Sequence, residues 1–446
     1  MEPNTLLDAV LDEAGISHAG LAAHVNEAGR ARGLTLRYEH TAVARWLKGQ
    51  RPRGQVPDII CEVLGERVRR ALTLDDIGLG PPGSGHAPHG TPLAGFVDRA
   101  TALWRSDEQQ RPHVVGAPAV TGTPAVMPVW EWENPPEDAD VSRRGQVRVG
   151  LPDIEMLRTA RAHYEQMYRK TGGVATRSRI VGFLNAETAP LLRGSYTDAT
   201  GRLLHRAVGG LVAVAGICAY DSDAYGLAQR YFHQALRLAK ASGDRGLGAY
   251  TIALLVNQSL HMGEFRQAVA FAETALRAAG PHITPALSAD LYAMQAKAYA
   301  KLGDGRSALA CIGRAEREAE SIRRGQEPAE TGYVQPGLVN VQVAEALLSL
   351  GDLGAAHEHA MAAVDSPAHD RGRVHRLALF TQIELCRGDA DQAVATAVEM
   401  TERVRGMESR RLRDRLRAVR EDLVASRCAA SAEAAELIDR TLRVPL

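Results

Sequence analysis

The feature that most constrains this fold is a turn motif that recurs five times between residues 223 and 393. Each copy places a glycine, or once an aspartate, five residues before an alanine, with an amphipathic helical stretch on either side. A tight turn after a helix favours a residue without a bulky Cβ, and the returning helix needs a small residue at its closest approach. The motif therefore predicts a stack of helical hairpins. Its copies are Asp223/Ala228, Gly263/Ala268, Gly303/Ala308, Gly351/Ala356 and Gly388/Ala393.

The motif resembles the tetratricopeptide repeat, a helical hairpin with a period of about 34 residues. The turn positions are 40, 40, 48 and 37 residues apart, so longer loops than the consensus would join the hairpins. A second small residue follows seven positions after the first alanine in four units, and Met400 replaces it in the last. We therefore predict an all-α protein in which a tetratricopeptide-like α-solenoid spans residues 151–446.

Composition excludes several classes of function. The 53 basic and 53 acidic residues balance, so any electrostatic site must be local. The five cysteines lie singly, without zinc-type spacing, and no phosphate loop, nucleophile elbow or zinc-protease helix occurs. We therefore expect no enzyme, no metal and no cofactor. The N-terminus lacks a signal pattern, and the apolar stretch 207–220 is shorter than the roughly 20 residues of a membrane span. A cytoplasmic protein without membrane contact is expected.

The N-terminal residues predict a small helical bundle. Apolar spacings of three and four indicate a helix over 6–14 that ends at Gly15, and Ser17 begins a second helix. A third helix is predicted within 38–49. Its buried stripe would be Val43, Trp46 and Leu47, and its opposite face would carry His40, Thr41, Arg45 and Lys48.

These residues resemble helix-turn-helix regulators of the bacterial and phage-repressor type. Such proteins pair a Ser-x-x-x-Leu-Ala helix with a recognition helix of the form Thr-Val-x-x-Trp-x-x-Gly. Residues 17–22 fit the first helix, and residues 41–52 fit the second with a one-residue difference. The stretch 26–36 adds about ten residues to the usual short turn. The resemblance implies a DNA-binding helix-turn-helix domain over residues 1–77.

Local charge agrees with DNA contact. Residues 30–53 contain seven basic side chains against Glu39 alone, a net charge of +6, although residues 1–79 have ten basic and eleven acidic side chains. Positive charge around the third helix would meet phosphate oxygens. We predict that His40, Thr41 and Arg45 face base edges, and that Arg37, Lys48, Arg51 and Arg53 hold phosphates. The alternative is a solvated face of a bundle without a nucleic-acid function.

Residues 78–150 read as a Pro/Gly-rich linker with one short helix near 96–105. Proline and glycine dominate up to residue 95, which predicts a flexible tether. Further on, Trp130 and Trp132 lie in a Pro-broken stretch that reads as extended. Two rings separated by one residue would then dock on the same side of the chain.

The predicted solenoid suggests a ligand groove. In tetratricopeptide stacks, the first helix of each hairpin lines a concave surface, and the position six before the turn residue faces inward. That position holds Ile217 in the first unit and polar residues in the others, namely Asn257, Lys297, Glu345 and Gln382. Polar groups along an apolar groove would hold an extended peptide or a small polar ligand. A solvated groove that binds nothing specific is the alternative.

The segment from Asp153 to Asp244 resembles the sensor half of actinobacterial regulators of differentiation and antibiotic production. The resemblance implies a transcriptional regulator that binds double-stranded DNA as a homodimer, with repression favoured over activation. Its repeat domain would sense a peptide, a small ligand or a protein partner. The alternative is a protein–protein adaptor with no direct DNA binding, and an enzyme is the weakest hypothesis.

Overall fold

The computed structural model of this chain describes residues 4–68, 72, 74, 76–79, 93–323, 325–426 and 428–443. The chain divides into two compact units, Met1–Val114 and Val115–Leu446. We call the first unit 1 and the second the repeat unit. The described residues are mainly helical and form no strand, and two isolated backbone bridges join residues 143–148 to 195–196. The predicted all-α class is confirmed.

Unit 1 consists of four helices around a common core, followed by a longer one. Its helices are α1 (Thr5–Ala14), α2 (His18–Ala31), α3 (His40–Leu47), α4 (Val56–Arg67) and α5 (Leu93–Glu108). Leu7, Leu21 and Trp46 are buried in that core. Gly15 ends α1 with φ of 59°, and the Ser17 side chain accepts from the Gly20 amide at the start of α2, as their residue types predict. A short helix, α6 (Pro112–Val115), follows α5.

The repeat unit opens with four helices and continues as a series of helical pairs. The opening helices are α7 (Thr123–Glu133), α8 (Leu151–Thr171), α9 (Gly173–Phe183) and α10 (Ala189–Leu192). In each pair the two helices pack against each other. The pairs are α11 (Asp198–Asp221) with α12 (Tyr225–Ser242), α13 (Arg245–His261) with α14 (Phe265–Ala279), α15 (Pro285–Lys301) with α16 (Gly305–Glu320), α17 (Pro336–Leu350) with α18 (Leu353–Asp365), α19 (Asp370–Arg387) with α20 (Ala390–Arg403), and α21 (Arg410–Ala425) with α22 (Ala429–Leu442).

The five turn motifs have the backbone conformation and the burial that their residue types predict. All five turn residues have left-handed backbone conformations, with φ between 61° at Asp223 and 85° at Gly388. The alanines five positions later are fully buried, and so are the second small residues and Met400. A methyl group at these positions lets paired helices approach closely. The prediction of stacked hairpins is therefore confirmed, and α21 with α22 adds a pair that carries no such motif.

The region predicted as a linker contains folded structure. Residues 80–92, which include most of the predicted tether, lie outside the described residues. From residue 115 onward the chain belongs to the repeat unit. The extended interpretation of the tryptophan segment is wrong, because both residues lie in α7. Two positions on a helix differ by about 200°, so Trp132 is 2% exposed whereas Trp130 is 51% exposed.

The C-terminal end of α7 and the buried indole of Trp132 attach this helix to the second hairpin, α13 with α14. The Arg245 Nη1 donates to the carbonyl of Trp132 at 2.9 Å, and the Arg245 guanidinium lies 5.2 Å from the indole centre. Gly248 lies beneath that indole, and a Cβ there would overlap it. Further along, Asp138 accepts two bonds from the Arg237 guanidinium at 2.6 and 2.8 Å.

Helix α11 supplies the most apolar face of the repeat unit. Of the described helices it alone is long and apolar enough to cross a membrane, and 83% of its apolar window is buried inside the structure. It contacts α8, α9, α12 and α13. The length and apolarity of α11 are thus accounted for by its burial against these four helices.

A buried histidine in α11 makes the stability of the repeat unit depend on pH. His205 is fully buried, and loss of hydration lowers the pKa of its imidazole from 6.5 to about 4. Above pH 6.5 the side chain is neutral in both the folded and unfolded chains. As the pH falls from 6.5 to 4, only the unfolded chain gains the proton, so stability decreases by about 3 kcal/mol. Urea unfolding between pH 7.5 and 4.5 measures this. Because burial also lowers the pKa of His261, His369 and His375, His205→Gln should reduce the dependence without abolishing it. An equally steep dependence in that variant would contradict the role of His205.

Candidate nucleic-acid interface and repeat groove

One face of α3 is buried and the other carries the predicted DNA contacts. Ala42, Val43 and Trp46 are buried in the core of unit 1. Leu47, predicted in the same stripe, is half-buried. All seven predicted DNA-binding residues are exposed, on α3 itself or in the segments directly before and after it. They are Arg37, His40, Thr41, Arg45, Lys48, Arg51 and Arg53.

Polar contacts hold the segment before α3 against α2. The Asn26 side chain bonds the backbone of Tyr38 twice, donating to its carbonyl at 2.8 Å and accepting from its amide at 2.8 Å. The Tyr38 ring meets Trp46 edge to face, with ring centres 5.1 Å apart. Leu36 packs directly on Gly29, where a Cβ would not fit. These contacts fix the start of α3 relative to α2.

The connection between α2 and α3 differs from the sequence prediction. The stretch 26–36 was expected to extend the turn, but α2 continues to Ala31, so residues 32–39 form the connection. Asn26 and Gly29 therefore lie within a helix. Their contacts explain why these residue types occur within a helix. The Asn26 side chain bonds the backbone of Tyr38, and Gly29 leaves space for the side chain of Leu36. The connection is eight residues long by these bounds.

The basic residues around α3 are available to a partner. Arg32, just before them, pairs with Glu62 of α4. In the described part of the chain, Arg37, Arg45, Lys48, Arg51 and Arg53 have no ion pair or side-chain hydrogen bond, and each is exposed. Exposed cations without acidic partners produce a local positive potential despite the neutral total charge.

The inner surface of the repeat unit brings two of the predicted groove residues together. Lys297 Nζ of α15 lies 2.8 Å from a carboxylate oxygen of Glu345 on α17, and Arg415 of α21 lies 3.7 Å from the other oxygen. Burial raises the pKa of Glu345, but the Lys297 and Arg415 cations outweigh it and lower the pKa to about 2. Glu345 therefore stays ionised as the centre of a three-residue charge cluster.

The other two predicted groove residues lie apart from that pair. Gln382 Nε2 donates to Asp422 of α21 at 2.8 Å. The backbone carbonyl of Asn257 accepts from the Tyr220 hydroxyl at 3.4 Å. The side chains of Lys297, Glu345 and Gln382 in the predicted row are thus contacted by other residues of the chain.

Helix α21 provides the contacts that the sequence prediction missed. Its residues Arg411, Arg415 and Asp422 share one face, beside an apolar face that packs in the core with α19 and α22. The spacing of four and seven between those charges was visible in the sequence, and it is the signal of a helix with one polar face. The sequence does not show that α21 packs against α19. From the sequence alone, its polar face would therefore be expected to contact solvent. The apolar residues are Leu412, Leu416, Val419 and Leu423.

A buried ion pair joins the first and fifth helical pairs of the repeat unit. Arg371 of α19 lies 2.5 Å from the Asp221 carboxylate at the end of α11, and both side chains are nearly or fully buried. Ser409, which caps α21, donates to the same carboxylate at 2.7 Å and accepts from Arg371 at 2.8 Å. The Gly173 amide donates to the other Asp221 oxygen at 2.7 Å. We call Asp221, Arg371 and Ser409 the closing triad.

The closing triad makes the repeat unit return on itself. Asp221 and Ser409 are 188 positions apart in sequence, yet their side chains are hydrogen-bonded. Nearby, the Glu408 amide donates to the Thr171 carbonyl at 2.7 Å, and helix α8 packs against both α11 and α19. Contacts between residues far apart in sequence therefore join the first helices of the repeat unit to its later ones.

No metal site is formed by the residues described. They contain no group of three histidine, cysteine, aspartate or glutamate side chains placed to hold an ion. His357 contacts Glu384, whereas His359 contacts Asn340, so these two neighbours in sequence point to different partners.

Comparison with known proteins gives a family match in unit 1. A family model described as the SP15 N-terminal domain matches residues 7–80, which include most of α1 and all of α2, α3 and α4. This range is close to the domain predicted over residues 1–77. No curated protein matches the chain.

Proposed function

We propose that this chain is a DNA-binding transcriptional regulator in which α2 and α3 form a helix-turn-helix and α3 enters the major groove. The observation that supports it most is the division of α3 into a buried face and an exposed face. The exposed face carries Arg45 and Lys48 without acidic partners. An eight-residue helix is about 12 Å long, which suits the width of the groove.

The roles of the side chains follow from their reach. His40, Thr41 and Arg45 lie along α3 and would meet base edges, with Arg45 donating to guanine acceptors. Arg37, Lys48, Arg51 and Arg53 flank the helix and would hold phosphates, which position the domain without reading sequence. The eight-residue connection is longer than the usual three or four residues. The bonds from Asn26 to Tyr38 compensate for that length by fixing α3 on α2.

The repeat unit would act as the sensor of this regulator. Its inner surface presents Lys297, Glu345 and Gln382, and a peptide, small ligand or protein partner that binds there would alter the placement of the DNA-binding domains. Two such domains, one from each subunit of a homodimer, would read half-sites one DNA turn apart. A cytoplasmic repressor is the form we favour.

Two substitutions, one on α3 and one directly after it, distinguish base contact from phosphate contact. Fragments are first selected from genomic DNA by the purified protein, and binding is then measured by mobility shift. We expect Arg45→Ala to lower the affinity for the selected fragment about tenfold to a hundredfold and to relax the sequence preference of the protein. Lys48→Ala should lower the affinity for every duplex by a similar factor.

Arg67→Ala is the control for these measurements. It removes one exposed charge from α4, where Arg67 contacts His24 at 2.8 Å, and should leave binding nearly unchanged. If Arg45→Ala and Lys48→Ala bind as the unaltered protein does, the proposed DNA role is wrong.

A protein–protein adaptor is the second candidate function. Helix α7 favours it, because Val126 and Trp130 are one turn apart and both exposed. An adaptor would bind its partner through apolar area, with little dependence on salt. Trp130→Ala should then abolish a complex that survives Lys48→Ala.

A further inference from the structure

Three aromatic side chains from the first two hairpins form a partly open recess on the inner surface of the repeat unit. Tyr220 ends α11, Tyr225 begins α12 and His261 ends α13. Their ring centres are 5.1 to 5.8 Å apart. Tyr220 is buried, Tyr225 is half-buried and His261 is exposed, so the recess has an open rim. We call these three residues the aromatic recess.

A hydrogen-bonded chain orients the recess. The Tyr225 hydroxyl donates to Asp223 at 2.9 Å and lies 2.9 Å from His261 Nε2. Asp223 has a left-handed backbone at the turn between α11 and α12, which places its carboxylate beside Tyr225. The recess therefore combines aromatic faces with a nearby negative charge, the combination that attracts organic cations.

A cation from the same chain occupies the recess. The guanidinium carbon of Arg411, on α21, lies 4.0 Å from the Tyr220 ring centre. This distance is that of a stacked cation–π contact. The occupant shows directly which chemical group the recess accepts, namely a planar guanidinium.

The occupant lacks the carboxylate partner that holds another stacked arginine of the same unit. Arg411 has no ion pair with any carboxylate among the described residues, whereas Arg371, which lies 4.8 Å from the Tyr168 ring, is paired with buried Asp221. Helix α21 is anchored by its apolar face and by the contact of Arg415 with Glu345. The Arg411 side chain can therefore leave the recess while α21 remains in place.

We propose that the aromatic recess is a binding site for the arginine side chain of a peptide or protein partner, and that Arg411 occupies it in cis until such a partner displaces it. The proposal rests on the sensing role proposed for the repeat unit. A partner arginine would stack on Tyr220 as Arg411 does. Further contacts along the inner surface would give the partner an advantage over Arg411, which contacts Tyr220 alone in this way.

The test uses full-length protein and two small probes. N-acetyl-arginine amide is titrated into the unaltered chain and into Arg411→Ala by calorimetry, and the neutral isostere N-acetyl-citrulline amide is the control probe. A cation–π contact at a partly exposed site corresponds to a factor of about five, so Arg411→Ala should bind the arginine probe about five times more tightly. The citrulline probe should bind neither protein measurably.

Two further variants define the outcome. Arg417→Ala removes an exposed arginine from the outer side of α21, where it pairs with Asp414, and should bind the probe as the unaltered chain does. Tyr220→Leu combined with Arg411→Ala should lose the binding. If Arg411→Ala does not fold, Arg411→Met keeps the aliphatic stem and replaces it in the titration.

The proposal is overturned if vacating the recess gives no increase in arginine binding, or if citrulline binds equally well. The titration does not involve DNA, so its result is independent of the mobility-shift measurements. A chain that binds no duplex but binds arginine more tightly after Arg411→Ala would refute the DNA role and retain the recess.

Discussion

Replacing Asp221 with alanine is expected to lower the free energy of unfolding of the repeat unit by about 3–5 kcal/mol. The reason is that Arg371 would remain buried without its carboxylate, and removing one partner of a buried ion pair leaves an uncompensated charge. Ser409 and the Gly173 amide would lose their acceptor as well. Urea unfolding of the full chain, followed by circular dichroism, measures the change.

The closing triad also predicts where the loss will appear. Hydrogen exchange should accelerate in α21 and at the end of α11, because Asp221 joins them, and less in the hairpins between. Glu155→Ala is the control, since it removes a carboxylate from an exposed pair with Arg158 and should cost well under 1 kcal/mol. Arg371→Met added to Asp221→Ala should recover part of the loss by removing the unpaired charge. Equal costs for Asp221→Ala and Glu155→Ala would contradict the role of the triad.

Trp132→Ala is expected to destabilise the repeat unit by about 3–5 kcal/mol, whereas Trp130→Ala should change it by about 0.5 kcal/mol or less. The two residues are matched in type and lie on the same helix, but only Trp132 is buried, against Gly248 of α13. Thermal unfolding of both variants tests the difference. Similar values for the two would show that α7 is not docked through Trp132.

A substitution at Gly248 tests the same contact from the other side. Gly248→Ala should destabilise the unaltered chain by about 1–3 kcal/mol, because the new methyl group overlaps the indole. In the Trp132→Ala background the same change should cost much less, since the space is then free. An unchanged cost in both backgrounds would mean that the glycine is required for another reason.

The sequence predicted the elements whose determinants are local. A left-handed turn residue and a buried alanine five positions later are set by neighbouring residues, so the hairpins could be read directly. The same holds for α3, where the spacing of Val43 and Trp46 separates a buried face from a basic one. Burial on a helix depends on a period of 3.6 residues, which a sequence displays.

The features that were missed depend on contacts distant in sequence. Pro124 and Pro128 made the segment around Trp130 read as extended, although one proline lies in the first turn of α7 and the other is accommodated within it. The closing triad unites Asp221 with residues 150 and 188 positions later. No local pattern specifies such a pairing, because it follows from how successive hairpins rotate.

The contacts of single residues on the inner surface were also only partly predictable from the sequence. Counting back from the turn glycines selected Lys297 and Glu345, and these two side chains form an ion pair. The count did not indicate that α21 would bring Arg411 and Arg415 onto that surface. Those arginines decide which part of the surface is occupied and which ligand chemistry it suits.

The salt dependence of duplex binding tests the central claim, that the exposed basic face of α3 binds DNA, most directly. With Arg37, Lys48, Arg51 and Arg53 on phosphates, the logarithm of the binding constant should fall with the logarithm of salt concentration with a slope of about −3.6 per bound protomer. Lys48→Ala should reduce that slope by about 0.9. A slope near zero, or one that Lys48→Ala leaves unchanged, would contradict the account.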